Sequence, residues 1–301
     1  MPSESRFGAR RTPTLLDLSK IAASSRLVEL ESETLEDLKY LQGKGTSLGG
    51  ARPKCSVLDE SGRLCLGKFP AAADTRDVQK GEVLALALAA RAGIHAAEAR
   101  SFAIEGCTVA LIRRFDREAA GGGRIPYWSM GTFLGQQDAD EPVSYLSLVE
   151  SLLNEGEASW PLIAAEVLKR LFLNILINNT DDHARNTGVL QNAQDFWRLA
   201  PMFDVNPMPL KRPDDPYESK TWLTPEAGPV TSVRQIAEAA EDFGLTREQA
   251  LKALSDVLSS VSQWKLIAAT PAVGMTARDI REYESAFQNS RLKEAKQLLA
   301  S

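Results

Sequence analysis

Apolar positions recur every three or four residues along much of the chain. Leu15, Leu16, Leu18, Ile21 and Val28, followed by Leu35, Leu38 and Leu41, trace such a stripe across residues 14–42, the spacing that places side chains on one face of a helix. Thr34 with Asp37 three residues later reads as a capping box for its second part. Gly43-Lys-Gly-Thr-Ser-Leu-Gly-Gly50 ends the stripe and predicts a flexible loop, because glycine enters backbone conformations that other residues resist. Residues 54–58 and 63–69 flank the turn composition Asp59-Glu-Ser-Gly62 and predict a β-hairpin with Lys68 near its far end. Helical spacing returns over residues 74–92, with Gly93 as C-cap. Residues 99–104 and 107–112 form a second apolar pair around Glu105-Gly106, and Gly121-Gly-Gly123 marks a boundary between two lobes. Beyond it, residues 144–153, 160–178, 231–242, 246–262 and 276–299 read as helices, interrupted by a hairpin over 187–200. The second half is therefore expected to be mainly helical, with no internal repeat.

Length and composition narrow the class. At roughly 150 residues per domain, 301 residues suggest two domains or one bilobal one. The 44% apolar and 25% charged fractions argue against disordered, collagen-like and coiled-coil chains. The longest apolar run, Val83 to Ala90, is less than half of the ~20 residues that span a bilayer. No apolar stretch follows the charged N-terminal residues to act as a secretory core, so a cytoplasmic protein without membrane contact is expected. Cys55, Cys65 and Cys107 are odd in number and lack metal or CxxC spacing, which makes them reduced and packed. Lys and Arg number 35 against 40 Asp and Glu, a net −5. That balance gives no basic footprint for autonomous DNA binding, so any nucleic-acid contact needs a partner.

Four constellations carry candidate chemistry. In Ser47-Leu-Gly-Gly-Ala-Arg-Pro-Lys54, the residues Gly49, Gly50 and Ala51 lead into Lys54. Such a loop brings backbone amides close to phosphate oxygens, although a plain connecting loop has the same composition. Lys68 on a strand, with Glu82 in the following helix, matches the pair with which protein kinases hold nucleotide phosphates; a surface lysine with an unrelated glutamate is the bland alternative. Asp181-Asp-His-Ala-Arg-Asn186 has the kinase spacing D-x-x-x-x-N, in which the aspartate orients or deprotonates the acceptor hydroxyl and the asparagine ligates Mg²⁺. A polar turn would also use these residues. Asp204, in the apolar segment Pro201-Met-Phe-Asp-Val205, is costly to bury unless it is paired or meets a cation. Mg²⁺ takes one or two carboxylates plus phosphate oxygens, so Asp204 with Asn186 suffices, and a satisfied turn aspartate is the alternative. His183 has no second histidine or cysteine at ligand spacing, which gives it a structural role as a hydrogen-bonding residue that holds the loop. His95 reads as a surface or packing residue. A serine hydrolase is disfavoured, because no G-x-S-x-G is present.

In this order the segments resemble the HipA family, the kinase toxins of bacterial toxin–antitoxin modules. The likeness rests on Ser47 to Lys54, Gly67-Lys68-Phe-Pro70, Glu82 in its leucine- and alanine-rich helix, Arg114-Phe-Asp-Arg117, Asn179-Thr-Asp-Asp-His-Ala-Arg-Asn186 and Met202-Phe-Asp-Val205. The resemblance implies an α+β, bilobal, protein-kinase-like fold. Residues 1–125 would form a small mixed N-lobe with the Gly-rich loop and the ATP-binding lysine, and residues 126–301 a mainly helical C-lobe with the catalytic loop and the metal-binding aspartate. It further implies an ATP- and Mg²⁺-dependent serine/threonine protein kinase that inhibits growth by phosphorylating a protein, aminoacyl-tRNA synthetases being the targets known for the family. Asp181 then matches the catalytic aspartate and Asn186 and Asp204 the metal ligands. Lys68 matches the nucleotide lysine, with Glu82, Gly49, Gly50, Ala51 and Lys54 beside it, and Ser47 the autophosphorylated loop serine, with Thr46 adjacent. A small helix-turn-helix antitoxin is the implied partner and supplies the DNA contact. Full-length relatives carry a further N-terminal subdomain, whereas about forty-five residues precede the Gly-rich loop here. The chain is therefore expected to be similar to the short kinases of three-component, HipBST-type modules, in which a separate small protein corresponds to the missing part. Two other readings remain open: a small-molecule phosphotransferase, and a nucleotide-binding partner protein without transfer.

Overall fold

The computed structural model describes residues 12–29, 32, 36, 46–47, 52–104, 106–118, 123–138, 141–155 and 160–301. The chain divides into two compact units, Met1–Lys80 with Ala99–Arg114, and Gly81–Glu98 with Phe115–Ser301. Its architecture is α+β, as the resemblance implies. Among the described residues no helix is long and apolar enough to cross a membrane.

The first unit opens with a 3₁₀ turn, Leu15–Asp17. A capping box stands at its start, because Thr14 N donates to Asp17 Oδ2 at 2.9 Å and the two side chains also meet. α1 (Leu18–Glu29) follows directly. The expected continuation of the helix through Leu35, Leu38 and Leu41, and the Thr34/Asp37 box, lie outside the described residues. The sheet has the order β1-β2-β3-β5-β4, formed by β1 (Thr46–Ser47), β2 (Lys54–Leu58), β3 (Leu64–Lys68), β4 (Ala99–Ile104) and β5 (Cys107–Arg113). Part of the expected loop over 43–50 is thus strand, since Thr46 and Ser47 pair with Cys55 and Lys54. The hairpin turn is closed by Asp59, whose Oδ1 accepts from Ser61 N and Arg63 N, both at 2.9 Å, and by Gly62 at φ +76°. Burial alternates along β2 and β3. Cys55, Val57 and Cys65 thereby join Leu18, Ile21, Phe69, Ile104, Val109 and Leu111 in one apolar core. Burial pushes the Cys55 thiol up to about 12 and the Cys65 thiol up to about 11, which keeps both as inert packing groups.

α2 (Val78–Arg91) starts later than the apolar spacing from residue 74 suggests. Asp74 instead stabilises the preceding turn, accepting from Ala71 N at 2.9 Å and pairing with Arg52 at 2.7 Å. Gly93 ends this helix at φ +76°, the left-handed conformation that glycine adopts without strain. The second unit contains a three-stranded sheet, β6 (Tyr127–Ser129), β7 (Gly188–Gln191) and β8 (Trp197–Leu199), so the expected hairpin over 187–200 has an added edge strand. A two-stranded ladder joins β9 (Trp222–Thr224) to β10 (Gly228–Pro229). The helices are α3 (Met130–Phe133), α4 (Tyr145–Glu155), α5 (Trp160–Leu176), α6 (Val233–Glu238), α7 (Arg247–Val261), α8 (Trp264–Ala268), α9 (Ala277–Phe287) and α10 (Ser290–Ala300). α5 buries Val167, Leu168, Leu171, Phe172 and Ile175 and packs against α7. The single helix expected over 276–299 is broken between α9 and α10, because Asn289 caps α10 by accepting from Leu292 N at 3.0 Å. The Asn289 amide also donates to Leu176 O at 3.0 Å, which anchors the break to the end of α5.

Candidate functional site

α5 ends in polar residues that turn the chain. Asn178 adopts φ +56°, which asparagine tolerates better than most residues. Its side chain is held at both ends, donating to Met208 O at 2.7 Å and accepting from Arg291 Nη2 at 2.9 Å. Asn179 donates to Asn174 Oδ1 at 3.1 Å, and Tyr217 OH donates to Asn179 O at 3.1 Å. The loop that follows therefore starts from a fixed, buried base.

Its first two aspartates have opposite surroundings. Asp182 is buried and accepts from Tyr145 OH at 2.5 Å, while Thr221 N and Oγ1 donate to its carbonyl at 2.9 and 3.0 Å. Burial pushes the Asp182 carboxyl up to about 6, against the downward pull of hydrogen bonds from Tyr145 and Asn174. Asp181 points outward, with half of its side chain exposed. Asn186 Nδ2 donates to Asp181 O at 3.0 Å, and Asn186 N donates to His183 O at 2.8 Å. Lys220 forms an ion pair with Asp181 Oδ1, and His183 Nε2 lies 3.9 Å from the same oxygen. The loop is held by the backbone of His183 rather than its ring, since its N–H donates to Asp181 O at 3.1 Å while ring Nδ1 is buried without a hydrogen-bond partner among the described residues.

Asp204 sits on a separately anchored segment. Buried Arg170 pairs with Glu166 at 2.8 Å and donates to His95 O and Ala200 O at 3.3 and 2.9 Å. Met202 N then donates to His95 O at 2.7 Å, and Ala97 N to Met202 O at 2.9 Å. His95 thus serves through its backbone. Phe203 packs on Phe115 and Tyr127, with ring centroids 5.4 and 6.1 Å away. Burial, followed by the charges of Asp116 and Asp204, pushes the Tyr127 phenol up to about 12. Asp204 itself is half-buried and adopts φ +53°, a conformation uncommon for a residue with a side chain and found at functional sites.

In the first unit, Lys54 and Lys68 stand directly opposite one another across β2 and β3, and Ser47 is the register partner of Lys54 across β1 and β2. The two lysines share the face opposite to Cys55 and Cys65. Gly49, Gly50 and Ala51 lie outside the described residues. Glu82 is buried on α2, in the second unit.

The donors suit a hard cation. Asn186 has committed its Nδ2 to Asp181 O, so its amide oxygen is the atom left to bind, and Asp204 supplies a carboxylate. Among the described residues no cluster of three or more His, Cys, Asp or Glu could hold a metal. Asn186 Oδ1 and the Asp204 carboxylate are the oxygens that would hold Mg²⁺, a cation that keeps water and phosphate oxygens in its shell and asks for only one or two protein ligands. Beside the loop a cavity of about 840 Å³ is lined by Thr132, Gln136, Thr180, His183, Arg185 and Lys220 among others.

Sequence spacing thus singles out Asp181 and Asn186, and the apolar surroundings single out Asp204, but neither signal points to Lys220, Tyr145, Thr221 or Arg170, which hold these segments. For Arg170 a signal exists, since Glu166 precedes it by one helical turn. The other three meet the loop from about forty residues away, and no local pattern announces them.

Residues 46–265 match the family model of the HipA-like C-terminal domain. No curated protein matches the sequence. Among the solved structures that share the fold are two kinase-like proteins. HipA of the Shewanella oneidensis MR-1 toxin–antitoxin system, solved with HipB and its operator DNA, aligns with a TM-score of 0.61 at 14% identity, over 86% of this chain and 68% of that one. The Helicobacter pylori proinflammatory kinase CtkA aligns with a TM-score of 0.58 at 15% identity, over 83% and 90%.

Proposed function

The chain belongs to the HipA-like C-terminal domain family, and from that premise we propose that it is an ATP- and Mg²⁺-dependent serine/threonine protein kinase, the toxin of a toxin–antitoxin module. The observation that carries this reading is the loop that turns Asp181 outward, ties Asn186 to its carbonyl and buries Asp182 beneath it. Asp181 is the catalytic residue and takes the proton of the acceptor hydroxyl. Asn186 and Asp204 hold Mg²⁺. Lys68 and Lys54, opposed on one sheet face, hold nucleotide phosphates together with the backbone of Gly49, Gly50 and Ala51, and Glu82 is the family's further nucleotide-site residue in this reading. Bound MgATP supplies the transferable phosphoryl group and the metal that neutralises its charge. Residues 1–125 act as the N-lobe and 126–301 as the C-lobe.

Ser47, with Thr46 beside it, is the site of self-modification in this reading. A phosphoserine adds about −1.5 to −2 charges where the loop must approach a polyanion, so phosphorylation switches the enzyme off. The protein works in the cytoplasm, its target is a protein such as an aminoacyl-tRNA synthetase, and an antitoxin of the helix-turn-helix class restrains it and contacts DNA. HipA, which shares the fold, was solved with HipB and operator DNA, which supports an antitoxin partner.

Incubating the purified chain with γ-labelled ATP, Mg²⁺ and a bacterial lysate tests this reading, with Asp181→Asn as control. Label on specific proteins, lost by ~10²–10⁴ in rate in the control while nucleotide affinity persists, is the expected result. An equally active control removes Asp181 from the mechanism. The cavity of about 840 Å³ beside the loop falls within the size of small-molecule sites and favours, as a second reading, a small-molecule phosphotransferase. Label confined to the low-molecular-weight fraction identifies that case, and nucleotide binding without any label identifies a silent partner protein.

A further inference from the structure

Lys220 belongs to a segment that the fold pins along its length. Ser219 N donates to Val230 O at 3.0 Å, Val230 N donates to Ser219 Oγ at 2.8 Å, and that hydroxyl donates to Thr221 O at 2.5 Å. Thr221 N and Oγ1 lock onto Asp182 O, and Trp222 N donates to Val143 O at 3.0 Å. Ser219 and Thr221 are 3% and 1% exposed, whereas the Lys220 side chain between them is 55% exposed and ends on Asp181 Oδ1. The segment therefore fixes the root of one outward lysine against the very loop whose aspartate it meets.

Stability does not account for this arrangement. An ion pair this exposed contributes only ~0.2–1 kcal/mol. What the arrangement does provide is an ammonium held at one particular oxygen. Both contacts of the Asp181 carboxylate, to Lys220 and to His183, use Oδ1, so Oδ2 has no hydrogen-bond partner among the described residues. Thr180, which precedes Asp181, and His183 and Lys220, which face its carboxylate, line the neighbouring cavity.

We propose that Lys220 is a positioning residue for Asp181, whose Oδ1 it holds so that Oδ2 is presented to the acceptor hydroxyl. The proton passes from that hydroxyl to Oδ2, and the ammonium keeps its own three protons throughout. This inference rests on the kinase reading of the same loop. It adds a residue from a distant segment that supplies the loop with a cation the loop does not place there itself.

The test uses the full chain and four variants, Lys220→Met, Lys220→Arg, Asp181→Asn and the Asp181→Asn/Lys220→Met double. Lys220→Met is expected to lower kcat by about 10–100-fold, the scale of a misplaced catalytic group, with KM for ATP, nucleotide affinity and melting temperature close to wild type. Lys220→Arg should recover most of the rate, and Lys220→Met should cost nothing further in the Asp181→Asn background, because residues acting as a unit are non-additive. Apart from turnover, Lys220 should label severalfold faster with an amine-acylating reagent in Asp181→Asn than in wild type. Wild-type kcat in Lys220→Met, a full additive loss in the double variant, or labelling of Lys220 that ignores Asp181 would each overturn the proposal. A wild-type chain that transfers no phosphate overturns the kinase reading and the proposal together, whereas an active wild type with an equally active Lys220→Met overturns the proposal alone.

Discussion

Tyr145→Phe removes one oxygen atom from beneath the Asp181–Asn186 loop, and its cost should depend on pH. Tyr145 is 1% exposed and Asp182 3%. The phenol donates to Asp182 Oδ1 at 2.5 Å, and Asp182 Oδ2 has no hydrogen-bond partner among the described residues. Burial raises this carboxyl from 3.8 to about 6, while hydrogen bonds from Tyr145 and Asn174 oppose the rise. A folded-state value above the unfolded one means that the protonated form favours folding. The contribution of Asp182 is therefore greatest below pH ~4 and falls through pH ~6, by ~3 kcal/mol at 1.36 kcal/mol per unit. Loss of the Tyr145 donor strikes the ionised form hardest, because a hydrogen bond to a charged group contributes ~1.5–3 kcal/mol against ~1 kcal/mol for a neutral one. The substitution should thus destabilise the protein by ~1 kcal/mol at pH 4.5 and by ~2–3 kcal/mol at pH 8. All five tryptophans, Trp128, Trp160, Trp197, Trp222 and Trp264, lie in the second unit, so their fluorescence during urea unfolding reports on the unit that holds the pair. A destabilisation equal at both pH values would refute an ionised Asp182 held by Tyr145. In an Asp182→Asn background the pH difference should vanish.

Three further outcomes follow, two from the proposed kinase function and one from packing. Asp204→Asn should weaken nucleotide binding in the presence of Mg²⁺ while leaving metal-free binding nearly unchanged, because the proposed function makes Asp204 a charged metal ligand; calorimetry with and without Mg²⁺ decides, and unchanged Mg²⁺ dependence counts against Asp204. Phosphate on Ser47 or Thr46 should be found by mass spectrometry in the active protein and not in Asp181→Asn, and an unmodified segment in an enzyme that still labels other proteins would sink autoregulation. Gly188→Ala puts a methyl group 2.4 Å from the Tyr127 ring, which Phe115 and Phe203 confine at 6.1 Å, and overpacking of this kind costs ~1–3 kcal/mol; a wild-type urea midpoint would show that the ring yields freely.

Local pattern revealed the elements whose reasons for forming are local. The β2–β3 hairpin carries its own turn, Asp59 to Gly62, and α5 carries an unbroken apolar face. What the pattern missed has a distant cause or is too short to carry a period. Apolar spacing runs on through residues 276–299, yet Asn289 breaks the helix because its side chain caps α10 and reaches Leu176, 113 residues earlier. Helical spacing from residue 74 is equally suggestive, but Asp74 is drawn into a turn by Arg52. β6, β9 and β10 hold two or three residues each, so alternation has no length in which to show.

The candidate site divides in the same way, and the division has a physical origin. Asp181 and Asn186 are five residues apart and joined by a hydrogen bond within one loop, so their spacing is itself the signal. Adjacent Asp182 looks the same in sequence but points the other way, and its role depends on Tyr145 and Thr221, 37 and 39 residues distant. Tyr145 begins an apolar helix and reads as one more core residue, while Lys220 reads as one more surface lysine. Only the fold shows that one aspartate is anchored in the core and that its neighbour is thereby held outward. The hydrogen bonds that hold buried Asp182, and without which its burial would be costly, are what turn Asp181 outward, and a chain that kept D-x-x-x-x-N without Tyr145 and Thr221 would retain the motif while losing that geometry.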